Sequence, residues 1–385
     1  MSNINTPCSL PKELKLILNI LNGSKPSQTL NQEMDWDLFL QLIVHHRLYP
    51  VLYPLIKHNN NLPEQIKVMV RKYYQHNTLQ MLHLCLEMNI LSQICGNQDI
   101  KLLILKGPLL AEDLYGDLSL RTCGDIDVMV PINDLDRMEK VLKSEGYVKD
   151  DYIKTVLGDW KWRHHHVSYF HQTKGIKVEV HWRLNPGPSS EPSFEQLWDR
   201  KRVYNSGMHT TYFLGKEDLF FFLVTHGGRH GWSRLRWLMD IHQLLKQEMD
   251  WEAIRLLLSR YHYNHVGGQA IQLSSMLFNS PIPYEFKTEV QKNKSRKLVN
   301  QTTFYLEKMV CLHSKKVPEE VTRHHQRYLF NMMSLKYRIL FILSFLHPYP
   351  EDAELVPLPK KLHFLYFPLR PIIWAWKKLS KPAIT

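Results

Sequence analysis

Cysteine is scarce in this chain and shows no paired spacing. The five cysteines lie far apart and none belongs to a C-x-x-C motif (Cys8, Cys85, Cys95, Cys123 and Cys311). An odd, scattered set argues against a disulfide framework. We therefore expect reduced thiols and a cytoplasmic protein.

Long apolar runs are also missing. No uninterrupted stretch approaches the roughly 20 apolar residues of a membrane-spanning helix, and "MSNINTPCSLPKELK" lacks the basic and apolar regions of a signal peptide. The sequence therefore predicts neither feature. The segment "KKLHFLYFPLRPIIWAWKKLSK" mixes aromatic residues, prolines and cations. That mixture is compatible with weak contact with a membrane surface or with packing onto the rest of the protein.

Acidic residues are fewer than basic residues in this chain. The 385 residues include 37 Asp and Glu against 49 Lys and Arg, which gives a formal net charge of +12 and a pI near 9.3. A basic balance favours anionic partners such as nucleotides, nucleic acid, phosphorylated substrates or an anionic membrane surface. Because 44% of the residues are hydrophobic and 22% are charged, the chain is globular rather than disordered.

Hydrophobic periodicity divides the chain into three regions. Residues 1–98 show helical spacing, with Ser9 as the predicted first helix cap. Residues 99–185 show the order strand, helix, strand, helix and hairpin. Residues 186–385 are again predicted to be helical and end in the aromatic and basic tail. We therefore expect an α+β fold, in which a small mixed-sheet core is flanked by helical regions at both ends.

Two aspartates stand at the start of the predicted strand "DIDVMVP". Residues i and i+2 of a strand point to the same side, so Asp125 and Asp127 present two carboxylates to one face. Such a pair suits Mg²⁺ and two-metal chemistry on phosphates. Aspartates at strand starts also serve for capping or solvation, so the pair alone does not decide between a metal site and a plain strand.

Three further features favour a site. "ILKGPLL" predicts a strand that turns into a helix at Lys106 and Gly107, where backbone N–H groups and a cation can meet phosphate. "KVEVHW" places Glu179 on the strand face opposite its apolar residues, although a solvent-facing hairpin residue would show the same alternation. Arg121, four residues before Asp125, is equally suited to phosphate binding and to an ion pair that holds the loop.

Histidines are numerous in the second half of the core and beyond it. His226 and His230 are four residues apart on a predicted helix, but "HGGRH" lacks the Glu of a zinc H-E-x-x-H motif. Helical spacing instead predicts a stripe of His226, His230, Arg234 and Trp237, with Asp240 as a further member. The stripe either faces a cleft, where rings stack a base and Arg234 meets phosphate, or packs on the core as an ion-paired helix.

The hairpin strand "HHHVSYFH" directs His164 and His166 toward the side of Glu179. A histidine there can assist phosphate binding or proton transfer, and a solvated hairpin face is the other interpretation.

The motifs together resemble a known enzyme superfamily. "LLILKGPLLAEDLYGDLSLRTCGDIDVMVP" and "THGGRHGWSRLRWLMDIHQLL" are similar to the DNA polymerase beta-type nucleotidyltransferases, and within them to the branch of uncharacterised bacterial nucleotidyltransferases. The resemblance covers roughly residues 35–345. One departure is Lys106–Gly107–Pro108, where the superfamily usually has Gly-Ser or Gly-Gly; because Pro108 lacks an N–H donor, phosphate contact would depend more on Lys106.

The resemblance implies a reaction and a set of sites. Asp125 and Asp127 would hold Mg²⁺ or Mn²⁺, and Glu179 would be the third metal ligand or the catalytic base. The remaining residues implied to bind the NTP are Lys106, Gly107, Arg121, His230 and Arg234. The expected reaction moves a nucleoside monophosphate from an NTP, such as ATP, to a hydroxyl or phosphate acceptor and releases pyrophosphate.

The acceptor and two other functions stay open. A peptide natural product, a sugar or polysaccharide precursor, another small molecule or an RNA end would each suit the reaction. An RNA-binding or RNA-modifying protein fits the basic charge, although no RNP, KH, zinc-finger or basic-helix pattern is present. A non-catalytic member of the same fold is disfavoured because all three carboxylate positions are filled.

Overall fold

The computed structural model describes residues 10–24, 34–205, 210–312, 314 and 316–379. Two residues named above, Cys8 and the predicted helix cap Ser9, lie outside this range. The first helix that the structure describes begins at Lys12.

A mixed sheet forms the centre of the molecule, and its strand order is β3-β4-β5-β2-β1-β7-β6. The strands are β1 (Leu103–Ile104), β2 (Ile126–Met129), β3 (Val148–Lys149), β4 (His166–His171), β5 (Ile176–His181), β6 (Arg202–Asn205) and β7 (Thr210–Phe213). Strand β2 pairs parallel with β5 and antiparallel with β1, while β1 pairs parallel with β7. The mixed sheet confirms the predicted α+β fold.

Helices surround this sheet. Those before it are α1 (Lys12–Leu21), α2 (Trp36–His45), α3 (Tyr49–Ile56) and α4 (Glu64–Asn97). Those between its strands are α5 (Pro108–Tyr115), α6 (Leu135–Ser144), α7 (Trp160–Arg163) and α8 (Phe194–Asp199). Those after it are α9 (Lys216–Arg229), α10 (Leu235–Leu244), α11 (Trp251–Arg260), α12 (Asn264–Phe278), α13 (Lys287–Gln291), α14 (Asn293–Glu307), α15 (Glu319–Met332), α16 (Leu335–Ser344), α17 (Pro350–Leu355) and α18 (Tyr366–Leu379).

Strand β2 lies in the interior of this arrangement. Ile126, Val128 and Met129 are at most 1% exposed, as expected for a strand with neighbours on both sides and helices over its faces. Burial of these apolar side chains fixes the strand register, because a shift by one residue would exchange Val128 with Asp127. The register therefore also fixes the position of the Asp127 carboxylate on its face of β2.

The region predicted to be helical after residue 186 differs from that expectation in two places. Strands β6 and β7 lie within it and extend the sheet beside β1. The long helical pattern of residues 216–247 is also interrupted, because α9 ends at Arg229 and α10 begins at Leu235. Gly231 and Trp232, both at positive φ, form the turn between the two helices. The domain boundaries stay a prediction.

The aromatic and basic tail forms α18. Tyr366 and Ile373 are buried, whereas Ile372, Trp374 and Trp376 are more than half exposed. The tail thus packs on the protein through one face and leaves apolar side chains on the other. Within the described ranges, no helix combines the length and apolar character that a membrane crossing requires.

Candidate active site

The acidic residues of the predicted site meet on two neighbouring strands. Asp127 on β2 lies directly opposite Glu179 on β5, and Asp125 immediately precedes β2. On β5, Val178 and Val180 are buried on one face, while Glu179 and its alternate neighbours occupy the other. The expected alternation in "KVEVHW" therefore brings Glu179 to the aspartates.

Asp127 is the most enclosed carboxylate of the group, with 1% of its surface exposed. Its Oδ1 lies 3.2 Å from Lys106 Nζ and 3.2 Å from His181 Nε2. Its Oδ2 is buried and has no hydrogen-bond partner in the described part of the chain. Because a buried charged oxygen without a partner is costly, this atom calls for a cation or another donor.

Glu179 and Asp125 are joined by a lysine. Lys177 Nζ lies 2.6 Å from Glu179 Oε1 and 3.1 Å from Asp125 Oδ2. The other oxygen of Glu179 faces two imidazoles, with His181 Nε2 at 3.7 Å and His166 Nε2 at 3.9 Å. His166 thus lies on the side expected from the hairpin alternation.

The donor atoms suit a divalent cation. Asp127, Glu179 and His181 each offer an atom, and these atoms lie within 4.8 Å of one another. His165, His166 and His181 form a second such group that shares His181. Asp125 lies outside both groups, so the set that the structure brings together differs from the expected trio of Asp125, Asp127 and Glu179. The unpartnered Oδ2 of Asp127 and the carboxylate oxygens of Glu179 suit Mg²⁺ or Mn²⁺, whereas the imidazole of His181 is not a ligand type that Mg²⁺ prefers.

Electrostatics keep two of the carboxylates ionised. Burial opposes ionisation of Asp127, but Lys106 and His181 outweigh it and lower the pKa of this carboxyl. For Glu179, burial is likewise outweighed by His181 and His166, and the pKa falls well below its usual range. Burial and the charge of Asp127 instead raise the pKa of Asp125. The two facing carboxylates are therefore charged at neutral pH, as metal ligands must be.

The turn before α5 lies against the acidic loop. Gly107 adopts φ 97° and ψ −150°, a conformation open almost only to glycine, and a Cβ added there would lie 4.0 Å from the carbonyl oxygen of Asp125. Pro108 is the first residue of α5, as expected from its lack of an N–H. Lys106 Nζ lies over the Phe222 ring, 5.6 Å from its centroid, and so stays close to Asp127.

Arg121 is held by an ion pair. Its Nε and Nη2 atoms donate to the two oxygens of Asp240 on α10 at 3.0 Å each, and both side chains are almost fully buried. Tyr115 Oη also donates to Asp240, at 2.8 Å. Of the two roles expected for Arg121, the structure shows the ion pair. Binding of a phosphate by Arg121 would require this pair to open.

Aromatic rings at the end of α9 and in α10 contact one another next to this site. His230 stacks on Trp237 with centroids 5.1 Å apart, and His226 lies 4.7 Å from His230. Burial, Lys106 and His230 lower the pKa of His226 well below its usual value. The predicted stripe is therefore formed by two helices and the turn between them rather than by one helix. Arg234 stands just before α10.

A family model described as "Uncharacterised nucleotidyltransferase" matches residues 32–279. The matched segment is well over half of the chain. The chain belongs to this nucleotidyltransferase family. The resemblance to uncharacterised nucleotidyltransferases is therefore confirmed, and the coarse activity that membership implies is that of a transferase. No protein of curated function matches the chain.

Sequence reasoning assigned no role to several residues of this nucleotidyltransferase. His181 was recognisable as the i+2 neighbour of Glu179 on the same strand face, but its contact with Asp127 depends on the pairing of β2 with β5. Arg229 joins the site from α9, where its Nη1 and Nη2 atoms lie 3.4 Å from His165 Nε2 and His226 Nδ1. No local signal in "HGGRH" marks Arg229 as a member of the site.

Proposed function

We propose that this member of the nucleotidyltransferase family is a polymerase beta-type enzyme that requires Mg²⁺ or Mn²⁺. It would move a nucleoside monophosphate from an NTP to a hydroxyl or phosphate group of an acceptor. The observation that carries the proposal is the buried, unpartnered Oδ2 of Asp127, which stands opposite Glu179 on the parallel strand. Such a pair of ionised carboxylates is the kind of ligand set on which metal-dependent phosphoryl transfer relies.

Asp127 and Glu179 would hold the metal, and Asp125, which shares Lys177 with Glu179, would join them once Lys177 is displaced. His181 would orient Asp127 through its 3.2 Å hydrogen bond or join the ligands directly. A divalent cation bound there would neutralise phosphate charge and favour the ionised form of the acceptor hydroxyl. The strongly lowered pKa of Glu179, caused by His181 and His166 against the effect of burial, suits a ligand better than a base.

The reaction would form one bond and break another at the α-phosphorus. The acceptor oxygen attacks this atom, a hydroxyl acceptor gives its proton to solvent water, and the bond between the α-phosphorus and the oxygen that bridges it to the β-phosphorus breaks. Pyrophosphate leaves with the electron pair. Lys106, which contacts Asp127, would stabilise the reacting phosphate beside Gly107. His230, stacked on Trp237, would offer its ring to the base, and Arg121 would hold the loop through Asp240.

The proposal is tested by mass spectrometry of candidate acceptors after incubation with mixed NTPs and Mg²⁺ or Mn²⁺. Peptide, sugar, small-molecule and RNA acceptors form separate arms. We expect a mass increase of one nucleotide in one arm and its loss in the D127N and E179Q variants. D199N, which changes an exposed carboxylate at the end of α8, is the control. Transfer by D127N at the wild-type rate would overturn the assignment, and NTP binding without transfer in any arm would favour a non-catalytic member.

A further inference from the structure

Three arginines converge beside the acidic loop. Arg47 lies in the turn between α2 and α3, Arg234 stands just before α10, and Arg236 belongs to the first turn of α10. The backbone N–H of Arg236 donates to the carbonyl oxygen of His46 at 3.2 Å, which places the α2–α3 turn directly on the start of α10. Segments nearly 190 residues apart in sequence are therefore packed together, and each of the three arginines acts electrostatically on another of them.

Arg236 connects this cluster to the acidic pair. Its Nη1 donates to the carbonyl oxygen of Thr122 at 2.5 Å and to Thr122 Oγ1 at 2.9 Å. The next residue, Cys123, donates its thiol proton to the carbonyl oxygen of Asp125, with Sγ and the oxygen 2.8 Å apart. The Nε atom of Arg236 is buried and has no hydrogen-bond partner within the described ranges. A donor in a cationic cluster thus remains unused next to the proposed catalytic loop.

The cluster lacks a matching negative charge. Asp240 of α10 is already bound by Nε and Nη2 of Arg121. Asp125 is bound by Lys177. Within the part of the chain that the structure describes, none of the three arginines lies within ion-pair distance of a carboxylate. Partly buried like charges repel one another, so this arrangement favours a bound anion.

The pKa values of the three arginines reflect the closeness of their positive charges. Burial, together with the charges of Arg121 and Arg47, lowers the pKa of Arg236 to about 10. Burial and the charge of Arg234 lower the pKa of Arg47, and burial and Arg236 lower that of Arg234. The charge of another arginine therefore acts on each of the three guanidinium groups. An anion with several oxygens would relieve the repulsion and accept a hydrogen bond from the unused Nε of Arg236.

The backbone at Arg47 is also unusual. Arg47 adopts φ 55° at the position just after the C-terminal cap of α2, where the left-handed conformation favours glycine. An arginine at a strained position is retained most easily where its side chain has a task. Cys123 and Asp125 are among the groups that act electrostatically on Arg47, which places its side chain near the acidic loop.

We propose that Arg47, Arg234 and Arg236 bind the terminal phosphates of the nucleotide and hold pyrophosphate as it leaves. The proposal rests on the proposed function and extends it by a second, metal-independent anion site built partly from the N-terminal helical region. Guanidinium groups present planar pairs of donors that match phosphate oxygens. When the bond between the α-phosphorus and the bridging oxygen breaks, the departing pyrophosphate gains negative charge, which three nearby cations would stabilise.

The experiment measures binding of inorganic pyrophosphate and tripolyphosphate to the full chain by isothermal titration calorimetry, in buffer with EDTA and no divalent cation. R47Q and R236Q should each weaken binding by about 10-fold or more. R255Q, which removes an exposed arginine paired with Glu252 far along the chain, is the matched control and should bind as the wild type does. R47G relieves the positive φ, so it should keep the fold while losing affinity, and R47K should restore part of it.

The outcomes separate this proposal from the proposed function. Wild-type affinity in R47Q and R236Q, or no pyrophosphate binding by the wild type, would overturn the arginine site even if nucleotidyl transfer is found. Binding that depends on Arg47 and Arg236 in a chain that transfers to no acceptor would support the site and count against the transfer reaction. D127N should bind pyrophosphate under these metal-free conditions as the wild type does. A loss of pyrophosphate affinity in D127N equal to that in R47Q would contradict an anion site separate from the metal site.

Discussion

Arg121 and Asp240 form a buried bidentate ion pair that joins the loop before β2 to helix α10. The same loop is held from the other side by Asn77 of α4, whose Nδ2 donates to the carbonyl oxygens of Ser119 and Arg121. Helices from both flanks of the sheet therefore fix the segment that carries Asp125. The position of this aspartate depends on contacts with distant parts of the chain.

The first prediction concerns removal of one partner of this pair. Asp240→Ala would leave the Arg121 guanidinium buried without a counter-charge, so we expect the free energy of unfolding to fall by about 3–5 kcal/mol. Urea denaturation measures the change. E252Q, which breaks an exposed ion pair with Arg255, should leave the unfolding midpoint nearly unchanged. If D240A and E252Q had similar small effects, the ion pair would not hold the loop.

The chemistry of the acidic strands could be predicted from the sequence because it follows local rules. Period-two alternation places Glu179 opposite the apolar face of its strand, and the spacing of Asp125 and Asp127 gives two carboxylates on one side. The hairpin of β4 and β5 follows from alternating residues around a short polar turn. These features depend on residues within about ten positions of one another.

The partners of these residues could not be predicted, because they are brought together by packing. Arg121 meets Asp240 across 119 positions, and His181 meets Asp127 across 54. The sequence around Arg121 or His181 does not indicate which element packs beside it. The break between α9 and α10 was also missed, since Trp232 adopts a positive φ that its residue type disfavours.

The second prediction concerns the metal. Mg²⁺ or Mn²⁺ should raise the midpoint of thermal unfolding of the wild type, because a ligand at 100 times its Kd stabilises the folded state by about 2.7 kcal/mol. Differential scanning fluorimetry with and without EDTA measures the shift. The shift should vanish in D127N and persist in D199N. An equal shift in D127N would place metal binding elsewhere.

The third prediction concerns the turn before α5. A Cβ at Gly107 would meet no atom closer than the Asp125 carbonyl oxygen at 4.0 Å, so Gly107→Ala is a test of backbone strain alone. We expect the φ of 97° to cost about 1–3 kcal/mol of stability, measured by urea denaturation. G96A near the end of α4 is the matched control, since its Cβ also meets nothing within 4 Å and alanine favours helix. G96A should stabilise the protein, and a G107A variant at least as stable as the wild type would rule out a strained turn.

The last prediction concerns acid stability and a histidine away from the site. His265 of α12 is 7% exposed, and its Nε2 donates to the carbonyl oxygen of Met332 at 2.6 Å. Burial and the charge of Lys294 lower its pKa from 6.5 to about 4. The folded state therefore binds the proton less readily than the unfolded state. The stability contributed by neutral His265 is complete above pH 6.5 and is lost as the pH falls toward 4, by at most about 3 kcal/mol.

Urea denaturation at several pH values between 7 and 4 measures this loss. His265→Gln keeps a donor for Met332 but cannot titrate, so its stability should fall less over this interval than that of the wild type. His58→Gln, a change at an exposed position after α3, should keep the wild-type pH dependence. The same slope in H265Q and the wild type would show that the acid sensitivity arises from other groups, because the only titratable difference between the two proteins is the imidazole of His265.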